Sequence, residues 1–367
     1  MLEELKHSHE RWMKRCLVLA QKAMNQTQPN PMVGCVIVNQ EKLIHQGYHE
    51  LYGQAHAEAN ALKNFSSEKH PQAILYVNLE PCAHQGKTGP CAQLIVEKKI
   101  KTVVYGCQDP NPKVAGQGLA FLKQHGVKVM GPILEEKCLL FNRAFFYAIG
   151  HHKPYVTAKF ALSNNGYMGS LNKQEKISGL ACQRRTMKLR ALSKAIMVGV
   201  NTVNIDDPKL TIRGLNQALA IKIIVFDPGL NIKKDRQILE QPDNIVLIYD
   251  QNQHNLEKKA WLQKKGVQLY ATNRDAKGGL NLQRFWQELY AQGVHRVLVE
   301  GGARLIEYLE AQDDINEYCI YQSKNKVLEG EGLIKGPKIK ALQQRPCFVI
   351  NSATDHIQWY KGHIRMS

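Results

Sequence analysis

Apolar positions along this chain recur with two different periods, and each change of period marks an element. Over residues 8–25, Met13, Cys16, Leu17, Ala20, Ala23 and Met24 fall at helical spacing and form one face of an amphipathic helix. Pro29-Asn30-Pro31 stops it, because proline lacks the donor a helix needs. Val33 to Val38 is a β-rich apolar run that reads as a buried strand. Gln54 to Lys63 reads as a helix with His56 in its first turn, and Ile74 to Leu79 as a strand. The loop Glu80 to Gly89 leads to Pro90, which suits the first turn of a helix through Glu97. Thr102 to Gly106 is another strand and Val127 to Met130 a weaker one. This alternation predicts an α/β layer with a mostly parallel sheet.

Gly, Pro and polar residues then cluster in Ala148-Ile149-Gly150-His151-His152-Lys153-Pro154, and a new pattern begins. Tyr155 to Leu162, Ala195 to Val200, Ile221 to Asp227, Asn244 to Tyr249 and Arg296 to Val299 read as strands. Gly179 to Leu192, Leu282 to Ala291 and Ala303 to Glu310 read as helices. The pattern predicts two domains, 1–150 and 151–367, and a length of 367 residues is long for one core.

Composition adds exclusions. Apolar residues make up 44% and charged residues 22%, as in soluble globular proteins. No run of about 18 uncharged apolar residues occurs, so no membrane span is expected. The first residues, Met1-Leu2-Glu3-Glu4-Leu5-Lys6, lack the basic start and apolar stretch of a signal peptide, and the expected location is cytoplasmic. Nine irregularly spaced cysteines do not form a disulfide framework. Cys16, Cys35, Cys107 and Cys319 lie in apolar stretches and read as small core residues. A net charge of +17 fits either a phosphorylated or polyanionic partner or a lysine-rich solvated surface.

Cys82 and Cys91 are different, because each sits beside proline in a loop-like segment. With His56 they supply two thiols and one imidazole, three protein ligands for a zinc ion that keeps its fourth position open. Glu58 follows His56 by two residues, so it can reach a bound water without ligating the metal. Zinc lowers that water's pKa, and a carboxylate can shuttle its proton. Both His56 and Cys91 fall at predicted helix N-termini, where the dipole should favour the thiolate of Cys91. The zinc-deaminase signature is His-x-Glu followed by Pro-Cys-x-x-Cys, and this chain keeps both halves with a longer gap between its cysteines.

Residues 10–150 resemble the deaminase domain of the bifunctional riboflavin-biosynthesis deaminase/reductases. The resemblance rests on Pro29-Asn30-Pro31-Met32-Val33-Gly34, His56-Ala57-Glu58, Leu79-Glu80-Pro81-Cys82-Ala83-His84-Gln85-Gly86-Lys87-Thr88, and Asp109-Pro110-Asn111-Pro112 with Val114-Ala115-Gly116. The long gap is that family's own spacing, although Thr88-Gly89-Pro90-Cys91 stands where Thr-Pro-Pro-Cys is usual. The resemblance implies a cytidine-deaminase-like three-layer α/β/α domain, with Asn30, His84 and Lys87 contacting substrate.

The second half says less by itself. It has no G-x-G-x-x-G after a strand, but Glu300-Gly301-Gly302 follows one and precedes a helix, where a backbone can approach a phosphate. Asp206-Asp207-Pro208 with Leu210-Thr211-Ile212-Arg213 sets carboxylates near a basic residue. Residues 154–330 resemble the same family's reductase domain, which implies a dihydrofolate-reductase-like α/β fold. On that resemblance Lys159, Ala161, Lys176, Thr202, Asp206 and Gly302 lie on the cofactor side, and Arg190, Leu210, Arg213 and Glu300 on the substrate side. Four departures stand out: Asn165 where aspartate is usual, Lys176 where tryptophan is frequent, Lys194 for a frequent aspartate, and Asn316-Glu317 for Asp-Glu.

The resemblance as a whole implies one zinc per chain, NADPH, and two consecutive reactions. The first is hydrolytic deamination of 2,5-diamino-6-(5-phosphoribosylamino)pyrimidin-4(3H)-one. The second reduces the ribosyl group of 5-amino-6-(5-phosphoribosylamino)uracil to ribityl. Small-molecule substrates, no nucleic acid, no membrane and a homo-oligomer, with a dimer favoured, go with it. Three alternatives remain at this point: a deaminase whose reductase half is weakened by the departures, a nucleoside or tRNA deaminase, and a chain whose zinc is only structural, with His84 as a fourth ligand.

Overall fold

The computed structural model describes residues 2–24, 26–83, 89–110, 115–213, 221–275 and 278–362, with side chains from Lys6 onward. Contacts divide the chain into two units, Met1–Lys153 and Pro154–Ser367.

The first unit is built on a five-stranded sheet of order β2-β1-β3-β4-β5. Its strands are β1 (Gly34–Asn39), β2 (Lys42–Tyr48), β3 (Ile74–Val77), β4 (Thr102–Tyr105) and β5 (Lys128–Met130). The sheet is mixed rather than mostly parallel: β1 runs antiparallel to β2 and β3, while β3, β4 and β5 run parallel. The reason is a tight hairpin. Asn39 pairs with Lys42, and the two residues between them, Gln40 and Glu41, have φ of 48° and 60°, as a two-residue turn with matching twist requires.

Alternation along the strands makes the layers. Cys35 and Ile37 of β1, with Leu75, Val77 and Val103, face α2 (Ala57–Leu62), α3 (Cys91–Glu97) and α4 (Gln117–Gln124) through Ala61, Leu62, Ile95 and Leu122. Val36 and Val38, with Tyr76 and Val104, face α1 (Leu2–Ala20) through Trp12, Met13, Cys16 and Leu19. Cys138 of α5 (Glu135–Phe141) joins that second layer, and α6 (Arg143–His151) ends the unit. Helices on both faces give the three-layer arrangement. Helix α1 starts earlier than its apolar spacing indicates and gives way after Ala20 to a 3-10 turn, Gln21–Ala23.

The second unit carries β6 (Tyr155–Leu162), β7 (Tyr167–Ser170), α7 (Leu180–Ala191), β8 (Ala195–Gly199), α8 (Val200–Asp206), β9 (Lys222–Phe226), β10 (Ile245–Asp250), α9 (Leu256–Lys265) and β11 (Gln268–Thr272). It continues through α10 (Gln283–Ala291), β12 (Arg296–Glu300), α11 (Ala303–Ala311), β13 (Glu317–Ser323), β14 (Leu333–Lys335), β15 (Phe348–Asn351) and β16 (Asp355–Lys361). A nine-stranded sheet orders them β11-β10-β9-β8-β12-β6-β13-β16-β15, and β7 pairs separately with β14. Strands from β11 to β13 run parallel, and the last two turn antiparallel. One face packs Phe285, Trp286 and Leu289 of α10 and Leu305, Ile306 and Leu309 of α11 on the centre of the sheet. The other packs Val200 and Val203 of α8 with Leu262 of α9. Full burial of each such large apolar side chain contributes about 1.5–3 kcal/mol. Ligands of open parallel sheets gather beyond the carboxyl ends of the strands, which is where β12 hands over to α11.

Candidate active sites

Three short pieces of chain converge in the first unit. His56 caps α2 in extended conformation, with φ −71° and ψ 166°, so it precedes the first turn rather than lying in it. The segment after β3 brings Cys82. Cys91 is the first residue of α3, with Pro90 in the cap position just outside. Ligand atoms of these three residues all lie within 4.8 Å of one another. His56 Nδ1 is 3.6 Å from Cys82 Sγ and 3.4 Å from Cys91 Sγ.

The electrostatics sharpen the expectation about the thiolates. The first backbone N–H of α3, that of Cys91, donates to Cys82 Sγ at 3.4 Å. The first N–H of the helix therefore also favours negative charge on Cys82. Contact with the Cys91 thiol, then with His56, holds the Cys82 thiol down to about 4, and the same contact pushes Cys91 up. Two soft sulfurs and one imidazole at this spacing suit zinc. Glu58 lies beside them, 4% exposed. Burial first, and the Cys82 charge second, push its carboxyl up to about 7.

Asn30 sits at the edge of this group. Its Nδ2 donates to Nε2 of His49 at 3.1 Å, and His49 Nδ1 lies 3.0 Å from the Ala55 carbonyl. A ring nitrogen facing a carbonyl must carry the proton, so Nε2 is the acceptor. The His49 ring stands 5.3 Å from that of His56. Sequence reasoning missed His49. A lone histidine carries no local signal, and only the approach of the end of β2 to the start of α2 reveals it. His84 and Lys87 lie outside the described residues.

In the second unit Lys159 and Glu300 are register partners on adjacent strands. Lys159 Nζ lies 3.7 Å from Glu300 Oε2, and the ammonium is 5.2 Å from the centre of the Tyr321 ring. Arg190, near the end of α7, donates Nε to Glu300 Oε1 at 2.5 Å and Nη2 to Oε2 at 3.1 Å. Its Nη1 donates to the Thr211 carbonyl at 2.7 Å. Burial alone would raise the Glu300 pKa, but Arg190 and Lys159 outweigh it and hold the carboxylate charged. Gly301 and Gly302, with φ of 67° and 79°, turn the chain from β12 into α11. A Cβ on Gly302 would sit in ordinary contact with Thr202 Oγ1, 3.4 Å away, so the turn and the Thr202 hydroxyl face one another at the start of α11.

The remaining expected residues are placed less tightly. Leu210 is buried and precedes Thr211. Arg213 is exposed, two residues further on. Asp206 ends α8 half-buried, and burial raises its pKa. Ala161 packs beneath α7 with Cys182, Leu189 and Tyr321. Lys176 is exposed. Two of the four departures have clear structural uses. Asn165 donates Nδ2 to the Leu328 carbonyl at 2.8 Å and accepts the Leu328 N–H at 3.1 Å. Asn316 accepts the Val156 N–H at 2.7 Å.

The fold and site define a zinc-binding deaminase unit joined to a second α/β unit. Residues 6–107 match the cytidine and deoxycytidylate deaminase zinc-binding region, and residues 154–350 match the RibD C-terminal domain. The riboflavin biosynthesis protein RibD of Actinobacillus pleuropneumoniae is 36% identical over 80% of this chain and 78% of its own length. The solved RibD structure of Acinetobacter baumannii superposes with a TM-score of 0.82 at 30% identity, covering 98% of this chain and all of that one. The diaminohydroxyphosphoribosylaminopyrimidine deaminase/5-amino-6-(5-phosphoribosylamino)uracil reductase of Thermotoga maritima superposes with a TM-score of 0.80 at 27% identity, covering 98% and 99%. This chain belongs to the RibD family. Among the described residues no helix is long and apolar enough to cross a membrane.

Proposed function

We propose that the chain performs two steps of riboflavin biosynthesis. Its first unit deaminates 2,5-diamino-6-(5-phosphoribosylamino)pyrimidin-4(3H)-one hydrolytically. Its second unit reduces the ribosyl group of 5-amino-6-(5-phosphoribosylamino)uracil to ribityl with NADPH. The observation that carries the reading is the buried Glu58 beside the His56, Cys82 and Cys91 cluster.

His56, Cys82 and Cys91 would hold the zinc. Bound zinc supplies the Lewis acid that makes water nucleophilic near neutral pH. Glu58 would take a proton from the attacking water and return one to the departing amino group. A C–O bond forms, the C–N bond breaks, and ammonia leaves. His49 turns the Asn30 amide so that its Oδ1 is the atom left for a donor on the pyrimidine.

In the second unit Glu300 holds the Arg190 guanidinium and the Lys159 ammonium in fixed positions. Both are cations suited to an anionic sugar phosphate. The Gly301-Gly302 turn and Thr202 are the place for phosphates of the dinucleotide. NADPH, when bound, supplies the hydride. We expect a homodimer, because outer strand β15 presents Phe348 and Val349 at 56% and 41% exposure on a sheet edge. Light scattering checks that. Cell fractionation checks a cytoplasmic location, which NADPH and nine unpaired cysteines favour. The central test supplies the diaminopyrimidine with and without NADPH and identifies products by mass. Deaminated product alone without NADPH and ribityl product with it are expected; unchanged substrate in both would refute the reading.

A further inference from the structure

Glu80 is two residues before Cys82, 5% exposed, and has no part in the chemistry above. Its backbone N–H donates to the Cys107 carbonyl at 2.9 Å, just beyond β4. Its carboxylate is ringed by backbone amides from a different part of the chain. Oε1 accepts from Gly118 at 2.9 Å and Leu119 at 3.5 Å; Oε2 accepts from Gly116 at 3.0 Å and Asp109 at 3.4 Å. Gly118 and Leu119 belong to the first turn of α4, whose N–H groups have no partner within the helix. The residue that should cap α4, Gly116, has no side chain to do so. Glu80 caps the helix from outside, with a charge that suits a helix N-terminus. The two segments also touch directly. A Cβ on Gly118 would fall 1.8 Å from the carbonyl oxygen of Pro81, the residue between Glu80 and Cys82.

We propose that Glu80 is a positioning residue for the deaminase. It braces Asp109 and the start of α4 against the segment that carries Cys82, and so steadies the backbone beside the proposed zinc and pyrimidine site without touching metal or substrate. The proposal rests on the deaminase reading, but its test separates the two. Glu80→Gln keeps the shape and replaces one acceptor oxygen by an NH2 that faces N–H donors. Glu80→Asp keeps the charge on a shorter arm.

The measurements are zinc per chain, deaminase kcat and KM, reductase activity of the same preparation, and amide exchange at Gly116 and Gly118. In E80Q we expect one zinc per chain, unchanged reductase, a deaminase KM raised about tenfold or more, and kcat held within about threefold, as displaced positioning groups do. E80D should recover part of the KM. Amide exchange at Gly116 and Gly118 should be slow in the unmodified protein and fast in E80Q. A KM within twofold of normal, loss of zinc, a fall in kcat alone, or fast exchange in the unmodified protein would each overturn the proposal. No deamination by the unmodified protein would instead sink the functional reading, while the exchange experiment would still judge the brace.

Discussion

The two sites are assembled over very different stretches of chain. His56 and Cys91 are 35 positions apart, and Cys82 lies between them. Each comes from the start of a short helix or the loop beside one, so the site is nearly local. Arg190 and Glu300 are 110 positions apart, and they meet only because α7 lies across a sheet in which β6 and β12 are neighbours. The first site concentrates its chemistry in side-chain type and spacing. The second concentrates it in a buried carboxylate that orders two cations from distant elements. A local site can survive changes in the sheet around it, whereas a distributed site is inseparable from the packing that builds it.

The sharpest way to probe that contrast is to remove one carboxylate from each site. Glu58→Gln should reduce ammonia release by about 10²–10⁴-fold, the scale of a lost general acid–base. Zinc content, melting temperature and reductase activity should all stay normal, because nothing but the proton carrier is gone. Glu300→Gln should behave in the opposite way. It leaves Arg190 and Lys159 facing each other without their anion, so we expect a loss of about 3 kcal/mol in the unfolding free energy of the second unit along with its reductase activity. A separate unfolding transition read by calorimetry would check this, and equal effects of the two substitutions on stability would break the comparison.

The same carboxylate gives a pH prediction. Glu300 is held below its ordinary value, so its stabilisation is complete above the unfolded pKa, near 4.3, and is lost as pH falls through the folded one. E300Q should therefore lose that part of the acid-side destabilisation in a pH series of melts. A smaller effect is expected for Gly302→Ala. Its φ of 79° costs an alanine about 1 kcal/mol, and the added Cβ would sit against Thr202 in ordinary contact. KM for NADPH should rise several-fold with deamination unchanged. Smallest is Asn165→Asp, which removes the donor to the Leu328 carbonyl at an exposed turn. It should cost about 1 kcal/mol and leave both activities intact, as the loss of one part-buried hydrogen bond would. A large loss of reduction in that variant would show that the turn matters to the site.

The zinc cluster was legible because its information is local. Two thiols, an imidazole and a carboxylate at characteristic spacing need only the helix starts and the loop to bring them together. Its finer electrostatics were not legible. The place of Cys91 on α3 carried no sign that the first amide of that helix points at Cys82. In the second unit, Lys159, Arg190 and Glu300 could be named only through resemblance, since no residue near any of them announces the other two. Strands were missed for physical reasons as well. Lys42 to Gln46 of β2 are exposed or half-buried on a sheet edge, so no apolar run marks them. In β13 the buried Glu317, paired with Arg296 at 2.7 Å and with Thr157, puts a charge where a core strand would be expected to be apolar. The mixed sheet of the first unit follows from the Gln40-Glu41 turn, whose residues are not those that usually announce one.

The joint between Lys153 and Pro154 has a consequence for the cell rather than for either reaction. Both units are translated from one message in one continuous polypeptide, so every deaminating centre comes with a reducing centre whatever the level of expression. The steady-state level of the intermediate between them then depends on the ratio of their catalytic constants and on NADPH, not on how much protein is made. Doubling gene dosage would double the flux capacity of both steps at once and leave that level unmoved, a form of proportional control that two separately expressed chains would need regulation to match.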